Sequence, residues 1–469
     1  MDFINRIDVS LVTLALAGAF ACSSDKTRPQ TAECGSSSSL TRCGHPDAST
    51  TNEGGSTAPD ASRCTITLAP STNDLETVQS ALDGTVKSGD TVCFAKGTYK
   101  FTKNHLALSG AQNVTFLGLG ATRDDVLFDF TGQTVGKEGV LVTTDGFTVE
   151  NLSIKNTAGN GITVQANDST FRGIKVYWEN SGTRGPDGGA TTGAYAIYPV
   201  KAINTLMEDN EVYGAADAGI YAGQCQHVIA RRNKSHGNVL GIEIENTIGA
   251  DVYDNDVYDN TTGFLLDLLP GLDQRVATGY RVHDNKIHDN NRANFAEVDT
   301  LAGVAPDGTG VLVLASSNVE ITKNTIADNK GVPVIIVSYD IIDILSSING
   351  GQASTPDQNT NRYPDHIYVH DNTYSRNGTN PGGAYALLGF TDGGVPSIPY
   401  DVLWDGILDP KGYGDAGVSS VAAASICLGT PEQQSFVDFH ADTSLTKPSG
   451  YTTDIAGHQC TVVVPPLTP

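Results

Sequence analysis

Three carboxylates near the middle of the chain have a spacing that suits chemistry. Glu243 and Glu245 are two residues apart in the phrase GIEIENT, and Asp267 occupies the matching place in the phrase GFLLDLL. If both phrases are neighbouring strands, side-chain alternation directs all three carboxylates to one face of a sheet. Glu243 and Glu245 would then be about 6–7 Å apart, and Glu245 about 4.8 Å from Asp267. Like charges at that distance repel, so they must raise a pKa, bind a cation or pair with a base.

Each of these outcomes corresponds to a kind of site. A carboxyl pair with one raised pKa supplies the general acid and base of glycoside cleavage. We expect Glu245 and Asp267 to be that catalytic pair, with Glu243 beside them. Calcium binds clusters of oxygen ligands, so the alternative is a calcium site made of the same three residues; no other cofactor is indicated. The simplest interpretation is that they are solvated strand residues that oppose edge-to-edge association.

Aromatic and charged residues accompany the carboxylates on the same predicted face. Tyr198 and Tyr221 align one repeat apart, and a pair of aromatic rings beside carboxylates is a common way to hold a sugar ring; such pairs also form for stability alone. Lys201 and Arg184 are the nearest cations, and either would neutralise the carboxylate of a polyuronate substrate. The predicted substrate-binding residues are Tyr198, Tyr221, Lys201, Asp217, Gln224 and Arg184.

A repeat of about 22 residues must position these side chains. Four glycines each open a similar phrase, and asparagines recur in step with them; self-similarity at this period predicts a solenoid. The glycines are Gly161, Gly219, Gly241 and Gly263, and the asparagines are Asn210, Asn233, Asn255, Asn285, Asn324 and Asn372. The residue three positions before each asparagine is predicted to face inward. The asparagine amides are expected to stack at a bend, where asparagine tolerates left-handed backbone geometry.

The segments that carry this repeat resemble a known family. GAYAIYPVKAINTLMEDN at 193–210, DAGIYAGQCQHVIARRN at 217–233 and GIEIENTIGADVYDN at 241–255 look like bacterial exported right-handed parallel β-helix repeat proteins. The resemblance implies an all-β fold, a right-handed parallel β-helix with an N-terminal helical cap and a C-terminal cap. The family is often labelled pectate-lyase-like or carbohydrate-binding, but one fold hosts many functions. The paired aspartates and Arg-x-Lys of polygalacturonases are missing from the predicted face.

Composition and the N-terminal segment bear on location and domains. The chain has 469 residues and a net charge of −24, which disfavours nucleic acid or an anionic membrane surface as partner. An apolar run at 10–21 before Cys22 is typical of a bacterial export signal with lipidation at that cysteine; cleavage without lipidation is the alternative. We expect a signal peptide at 1–21, a flexible Ser/Thr/Gly-rich tether at 22–63, the β-helix at 64–397 and a C-terminal cap at 398–469.

Export favours disulfides, although the sequence leaves their connectivity open. The local pairings are Cys34–Cys43, Cys64–Cys93 and Cys427–Cys460, with Cys225 left as a buried thiol.

These features together predict a monomeric, exported protein of the cell envelope or extracellular space, attached to a membrane only by its lipid. It would bind and process a polysaccharide, as a lyase or a glycoside hydrolase, in a groove walled by the inserts at 181–194 and 274–308. The alternative is a non-catalytic protein, either adhesin-like or a periplasmic maturation factor.

Overall fold

Each repeat of the sequence supplies three short strands, and the strands of successive repeats stack in register. The computed structural model describes residues 59–185, 189–297, 300–343, 359–382, 385, 391–392, 395–408, 420–441 and 451–467. Within these residues the repeats form three long sheets whose neighbouring strands are parallel. The chain therefore winds as a parallel β-helix, and the predicted all-β fold class is confirmed.

The three sheets each take one strand from almost every coil. The first sheet contains β1 (Ile66–Leu68), β2 (Thr91–Phe94), β5 (Thr115–Gly118), β8 (Thr148–Glu150), β11 (Ser169–Arg172), β14 (Ile203–Glu208), β17 (Gln226–Arg231), β20 (Ile248–Tyr253), β23 (Thr278–His283), β26 (Ser317–Thr322), β29 (Asp365–His370) and β34 (Ile426–Leu428). The second sheet contains β4 (Leu106–Leu108), β7 (Val140–Val142), β10 (Ile162–Val164), β13 (Ile197–Pro199), β16 (Ala218–Gly223), β19 (Leu240–Glu245), β22 (Thr262–Asp267), β25 (Thr309–Leu314), β28 (Val334–Val337), β33 (Val402–Trp404) and β35 (Phe436–Asp438). The third sheet contains β3 (Gly97–Lys100), β6 (Val126–Asp129), β9 (Ser153–Lys155), β12 (Lys175–Tyr177), β15 (Glu211–Tyr213), β18 (Lys234–His236), β21 (Asp256–Tyr258), β24 (Lys286–His288), β27 (Thr325–Ala327) and β30 (Thr373–Ser375).

The remaining elements are short and lie at the ends or in the inserts. They are α1 (Asp74–Gly84), α2 (Leu301–Val304), α3 (Val421–Ala424), 3-10 turns at Ala61–Arg63, Arg123–Asp125 and Ala456–His458, and the antiparallel pair β31 (Thr391–Asp392) and β32 (Val395–Pro396). The helix α1 buries Val78 and Leu82 against the first coils, as expected of an N-terminal cap. None of the helices in the described part of the chain has the length and hydropathy that a membrane crossing requires.

Apolar side chains fill the interior between the three sheets. Ile242 and Ile244 of β19 are fully buried there, so the residues between and after them, Glu243 and Glu245, lie on the outer face. The prediction for the residues three positions before each ladder asparagine is confirmed, because every one of them is fully buried. These residues are Met207, Ala230, Val252, Val282, Ile321 and Val369.

The asparagines form a continuous series of hydrogen bonds along the solenoid. From Asn210 to Asn372, each side-chain amide donates to the Oδ1 of the asparagine on the next coil, at 2.9–3.0 Å. A second series runs from Asn238 to Asn377 at 2.9–3.1 Å. The residue before each asparagine adopts the left-handed backbone, as at Asp209 with φ 59°. The ladder asparagines themselves do not take the left-handed backbone, which corrects that expectation; their side chains satisfy buried backbone groups at the bend.

Both ends of the described solenoid are tied by disulfides. Cys64 bonds to Cys93 and Cys427 bonds to Cys460, while Cys225 is a buried free thiol. The sheets continue beyond residue 397, where the sequence analysis ended the β-helix, because β33, β34 and β35 add strands to them. The predicted signal peptide, Cys22, most of the tether and the Cys34–Cys43 pairing lie outside the described residues.

Candidate functional site

The outer face of the second sheet brings the three predicted carboxylates together. In the parallel register, Glu243 of β19 lies opposite Leu265 of β22, and Glu245 lies opposite Asp267. One oxygen from each of Glu243, Glu245 and Asp267 lies within 4.8 Å of the other two. We call these three residues the carboxylate centre.

The carboxylate centre is buried, which corrects the expectation that it is open to solvent. Exposure is 4% for Glu243, 7% for Glu245 and 0% for Asp267. A segment that follows β22 runs beside the ends of the neighbouring strands. There Asn246, which directly follows β19, donates to the carbonyl of Leu269 at 2.9 Å and to that of Gln274 at 2.6 Å. Because segments of this kind do not follow the repeat, strand alternation alone gave the correct face but the wrong exposure.

Most oxygens of the carboxylate centre lack a partner among the described residues. Glu245 accepts a hydrogen bond of 2.7 Å from the hydroxyl of Tyr221. Oε2 of Glu243 and both carboxylate oxygens of Asp267 are buried without a hydrogen-bond partner. No lysine or arginine of the described chain forms an ion pair with these three residues. A buried, unpartnered carboxylate is costly, so its persistence points to a ligand, a proton or a cation.

Burial controls the protonation of this group of acids. Loss of solvent, reinforced by the neighbouring carboxylates, raises the pKa of Glu243 and of Asp267 well above the ordinary range. Burial also raises the pKa of Glu245 to about 7, with the Tyr221 hydroxyl acting in the opposite sense. Asp217 joins the same electrostatic group, since burial raises its pKa to about 7 against a hydrogen bond from Tyr195. The pKa values of Glu245 and Asp217 therefore lie in the range that suits proton transfer near neutral pH.

Three tyrosines pack beside the carboxylates. The rings of Tyr195 and Tyr198 stack with centroids 4.5 Å apart and an interplanar angle of 8°, and the Tyr198 and Tyr221 rings are 4.7 Å apart. Gly223 makes room for this arrangement, because a Cβ there would overlap the Tyr221 hydroxyl. Strand alternation predicts Tyr198 and Tyr221 for this face but not Tyr195. Tyr195 lies before β13, so strand alternation does not predict which way it points. The sequence feature that could have indicated it is the phrase GAYAIY, in which two tyrosines are three residues apart.

Three other predicted substrate-binding residues are occupied in fastening loops. Lys201 forms an exposed ion pair of 2.5 Å with Asp273, and the side-chain oxygen of Gln224 accepts from the backbone of Asp273 and Gln274. Both contacts hold the segment that follows β22. Arg184 donates to the carbonyl of Ala296 at 2.7 Å, so it joins the two inserts that were predicted as groove walls.

An apolar pocket adjoins the carboxylate centre, and the sequence analysis did not predict it. Its floor is the outer face of β22, β25, β28 and β33, and its walls come from α2, residues 341–342 and the chain after β35. The floor residues are Leu265, Leu312, Leu314, Ile335, Val337 and Leu403. The available signal was the aliphatic residue that recurs at the outward position of each of these strands.

Comparisons with known proteins place the fold. The family model for a right handed beta helix region matches residues 127–267 and 191–348. No curated protein matches. Among solved structures, the chain is similar to the mannuronan C-5 epimerase AlgE4 A-module of Azotobacter vinelandii at 18% identity, covering 65% of this chain and 92% of that one, with a TM-score of 0.43.

Two further solved structures are similar at lower identity. A polygalacturonase from Erwinia carotovora is 11% identical over 71% of this chain and 96% of its own, with a TM-score of 0.48. An alginate lyase from Paenibacillus sp. is 15% identical over 68% of this chain and 100% of its own, with a TM-score of 0.30.

Proposed function

Because the model for a right handed beta helix region matches residues 127–267 and 191–348, we propose that the chemistry of this protein resides on the outer face of the second sheet. There the protein binds and processes a polysaccharide, with Glu245 and Asp267 as its acid–base pair. The observation that supports this proposal is the buried carboxylate of Asp267, unpartnered among the described residues and in register with Glu245. An oxygen of Glu245 lies within 4.8 Å of an oxygen of Asp267, so both carboxyl groups can reach the same bond of a bound sugar.

The raised pKa values of Glu245 and Asp267 support proton transfer by this pair. Glu245, with a pKa raised to about 7, carries a proton for a leaving oxygen and regains it from water. The tyrosines at positions 195, 198 and 221 offer ring surfaces to the sugar. Glu245 is 7% exposed, so a substrate reaches it only when surrounding side chains or segments move aside.

A cation is the second role that a specific observation favours. Asp267 holds two buried oxygens and Glu243 one that no described residue satisfies, and three carboxylates at this spacing fit a calcium ion. Bound calcium would neutralise the acidic group of a sugar and so favour loss of the neighbouring proton. Glu243, Glu245 and Asp267 would hold the ion, and all three carboxyl groups would then be ionised.

Location and attachment are part of the proposal. The two disulfides support an oxidising compartment, and the apolar run before Cys22 supports export with a lipid at that cysteine. Replacement of Cys22 by serine should abolish incorporation of labelled palmitate. Persistent labelling of the variant would contradict the lipid attachment.

The experiment that tests the function is a polysaccharide panel assayed with the full chain, with calcium and with EDTA. Glu245→Gln and Asp267→Asn should each reduce turnover by at least a hundredfold, while Glu76→Gln, the same change at an exposed position of α1, should leave it unchanged. Unaltered turnover in both site variants would remove the carboxylate centre from the mechanism. Absence of turnover by the wild-type protein on every glycan would favour the non-catalytic alternative.

A further inference from the structure

The outer face of the second sheet changes character at β22. Up to β19 its outward positions carry Tyr221, Glu243 and Glu245, whereas the positions in register with Glu243 on the next strands are Leu265 and Leu312. The aliphatic row continues through Ile335 and Leu403, and Leu314 and Val337 follow Asp267 in the neighbouring row. The sheet thus carries a polar half and an aliphatic half that meet at Leu265 and Asp267.

The aliphatic half is the floor of a pocket whose polar groups are already satisfied. Asp405 accepts from the backbone and hydroxyl of Ser338 at 2.7 and 2.9 Å. The hydroxyl of Tyr385 lies 2.6 Å from that of Thr309. The pocket therefore offers an occupant apolar contact and little else. A sugar ring placed there would lose the hydrogen bonds that its hydroxyls make with water.

The length of the pocket and the charge of the adjacent carboxylate centre limit the classes of molecule that can bind there. The floor crosses four strands, which are three steps of about 4.8 Å and so roughly 14 Å in length. Val304 at the rim is 39% exposed, so the pocket meets solvent. A free fatty acid would bring a carboxylate toward three others, which repel it. A neutral, hydroxyl-bearing head group can instead donate hydrogen bonds to the unpartnered oxygens of Glu243 and Asp267.

We propose that this site takes an acylated saccharide, with the aliphatic chain on Leu312, Ile335 and their neighbours and the sugar at the carboxylate centre. The inference rests on the proposed saccharide-binding function and names the class of saccharide. The two halves of the sheet then bind the two ends of one ligand.

Titration of the full-length protein with n-alkyl β-D-glucosides, below their critical micelle concentrations, tests the proposal. Affinity should rise by up to about fourfold with each added methylene, which is the factor expected for burying one such group. Glucose alone should bind far more weakly than octyl glucoside. Octanoate, which has an aliphatic chain but a charged head, should also bind more weakly than octyl glucoside. Affinity that is independent of chain length would overturn the proposal, and so would octanoate binding as tightly as the glucoside.

Variants at solvent-exposed positions keep the test independent of folding. Val304→Ser at the pocket rim should weaken octyl glucoside binding several-fold, while Val276→Ser, at another exposed valine of 45% exposure away from the pocket, should not. Equal effects of the two variants would refute the assignment of the pocket. If Glu245→Gln abolishes polysaccharide turnover but chain length has no effect, the proposed function stands without this inference. If chain length matters but no polysaccharide is turned over, the pocket stands and the proposed function fails.

Discussion

Two buried carboxylate sites on different sheets of this solenoid have opposite surroundings. Glu208, at the end of β14 on the first sheet, is 1% exposed. It contacts Arg172 at 2.6 Å, Arg231 at 2.8 Å and Arg232 at 2.7 Å. Asp267 on the second sheet is fully buried, and no described residue pairs with either of its oxygens.

The contrast shows what the coil spacing does and does not determine. Stacking places each outward residue beside its register partners on adjacent coils, whatever their charge. On the first sheet those partners are arginines. Burial tends to raise the pKa of Glu208, but the hydrogen bonds and charges of the arginines lower it overall. On the second sheet the partner of Asp267 is another acid, Glu245, and burial raises both pKa values. The first arrangement stabilises the stack, and the second is typical of a functional site.

The largest expected effect comes from breaking the satisfied site. Glu208→Gln leaves three arginines without their shared anion and should lower the free energy of unfolding by about 3 kcal/mol. This is the low end for a broken buried ion pair, because the arginines reach solvent. Chemical denaturation measures it. Asp209→Asn, which also loses a contact to Arg232 but is 46% exposed, is the matched control and should cost less than about 0.5 kcal/mol. Equal losses in the two variants would contradict the role given to burial.

The two sites should respond to pH in opposite directions. The pKa of Glu245 rises from 4.5 to about 7 on folding, so the folded state binds the proton more tightly than the unfolded state does. The contribution of Glu245 to the free energy of unfolding is therefore greatest below pH 4.5. It falls by an amount on the order of 3 kcal/mol as the pH rises toward 7. Glu208, with a lowered pKa, contributes stability that is lost as pH falls below its ordinary value.

Denaturation between pH 4.5 and 8 in EDTA measures the loss on the alkaline side. Asp267→Asn should flatten the curve and stabilise the protein at pH 8, because it removes one of the mutually repelling buried charges. Saturating calcium should have a similar effect on the wild type if the centre binds the ion. A variant that is less stable than wild type at pH 8 would mean that Asp267 has a favourable partner in the ionised state.

The parts of this comparison that were predictable from sequence are those that follow the repeat. The pairing of Glu245 with Asp267 and the inward direction of Ile242 and Ile244 follow from aligned phrases and strand alternation. The burial of the carboxylate centre did not follow, because strand alternation says nothing about the segments between the strands. The contacts of Lys201 with Asp273 and of Arg184 with Ala296 were not predictable for the same reason, since these partners belong to inserts with no periodicity.

A smaller effect is expected from the one hydrogen bond that the carboxylate centre receives. Tyr221→Phe removes the donor to Glu245 and should cost about 1 kcal/mol at neutral pH. Because that hydroxyl lowers the pKa of Glu245, the pH at which stability stops falling should move upward. Tyr198→Phe, in the neighbouring ring, is the control and should leave that pH in place. A shift of similar size in both variants would mean that the bond from Tyr221 is not specific.

The smallest effect should come from Lys201, whose ion pair with Asp273 lies at the surface. Side-chain exposures of 57% and 83% leave the pair screened by water, so Lys201→Ala should change stability by less than about 0.5 kcal/mol. The pair does help to hold the segment 268–275, so its loss should instead speed hydrogen exchange of backbone amides in those residues. Exchange as slow as in the wild type would show that Gln224 and Asn246 hold the segment without it. A drop in polysaccharide turnover with unchanged exchange would return Lys201 to the substrate-binding role that its position in the sequence first indicated.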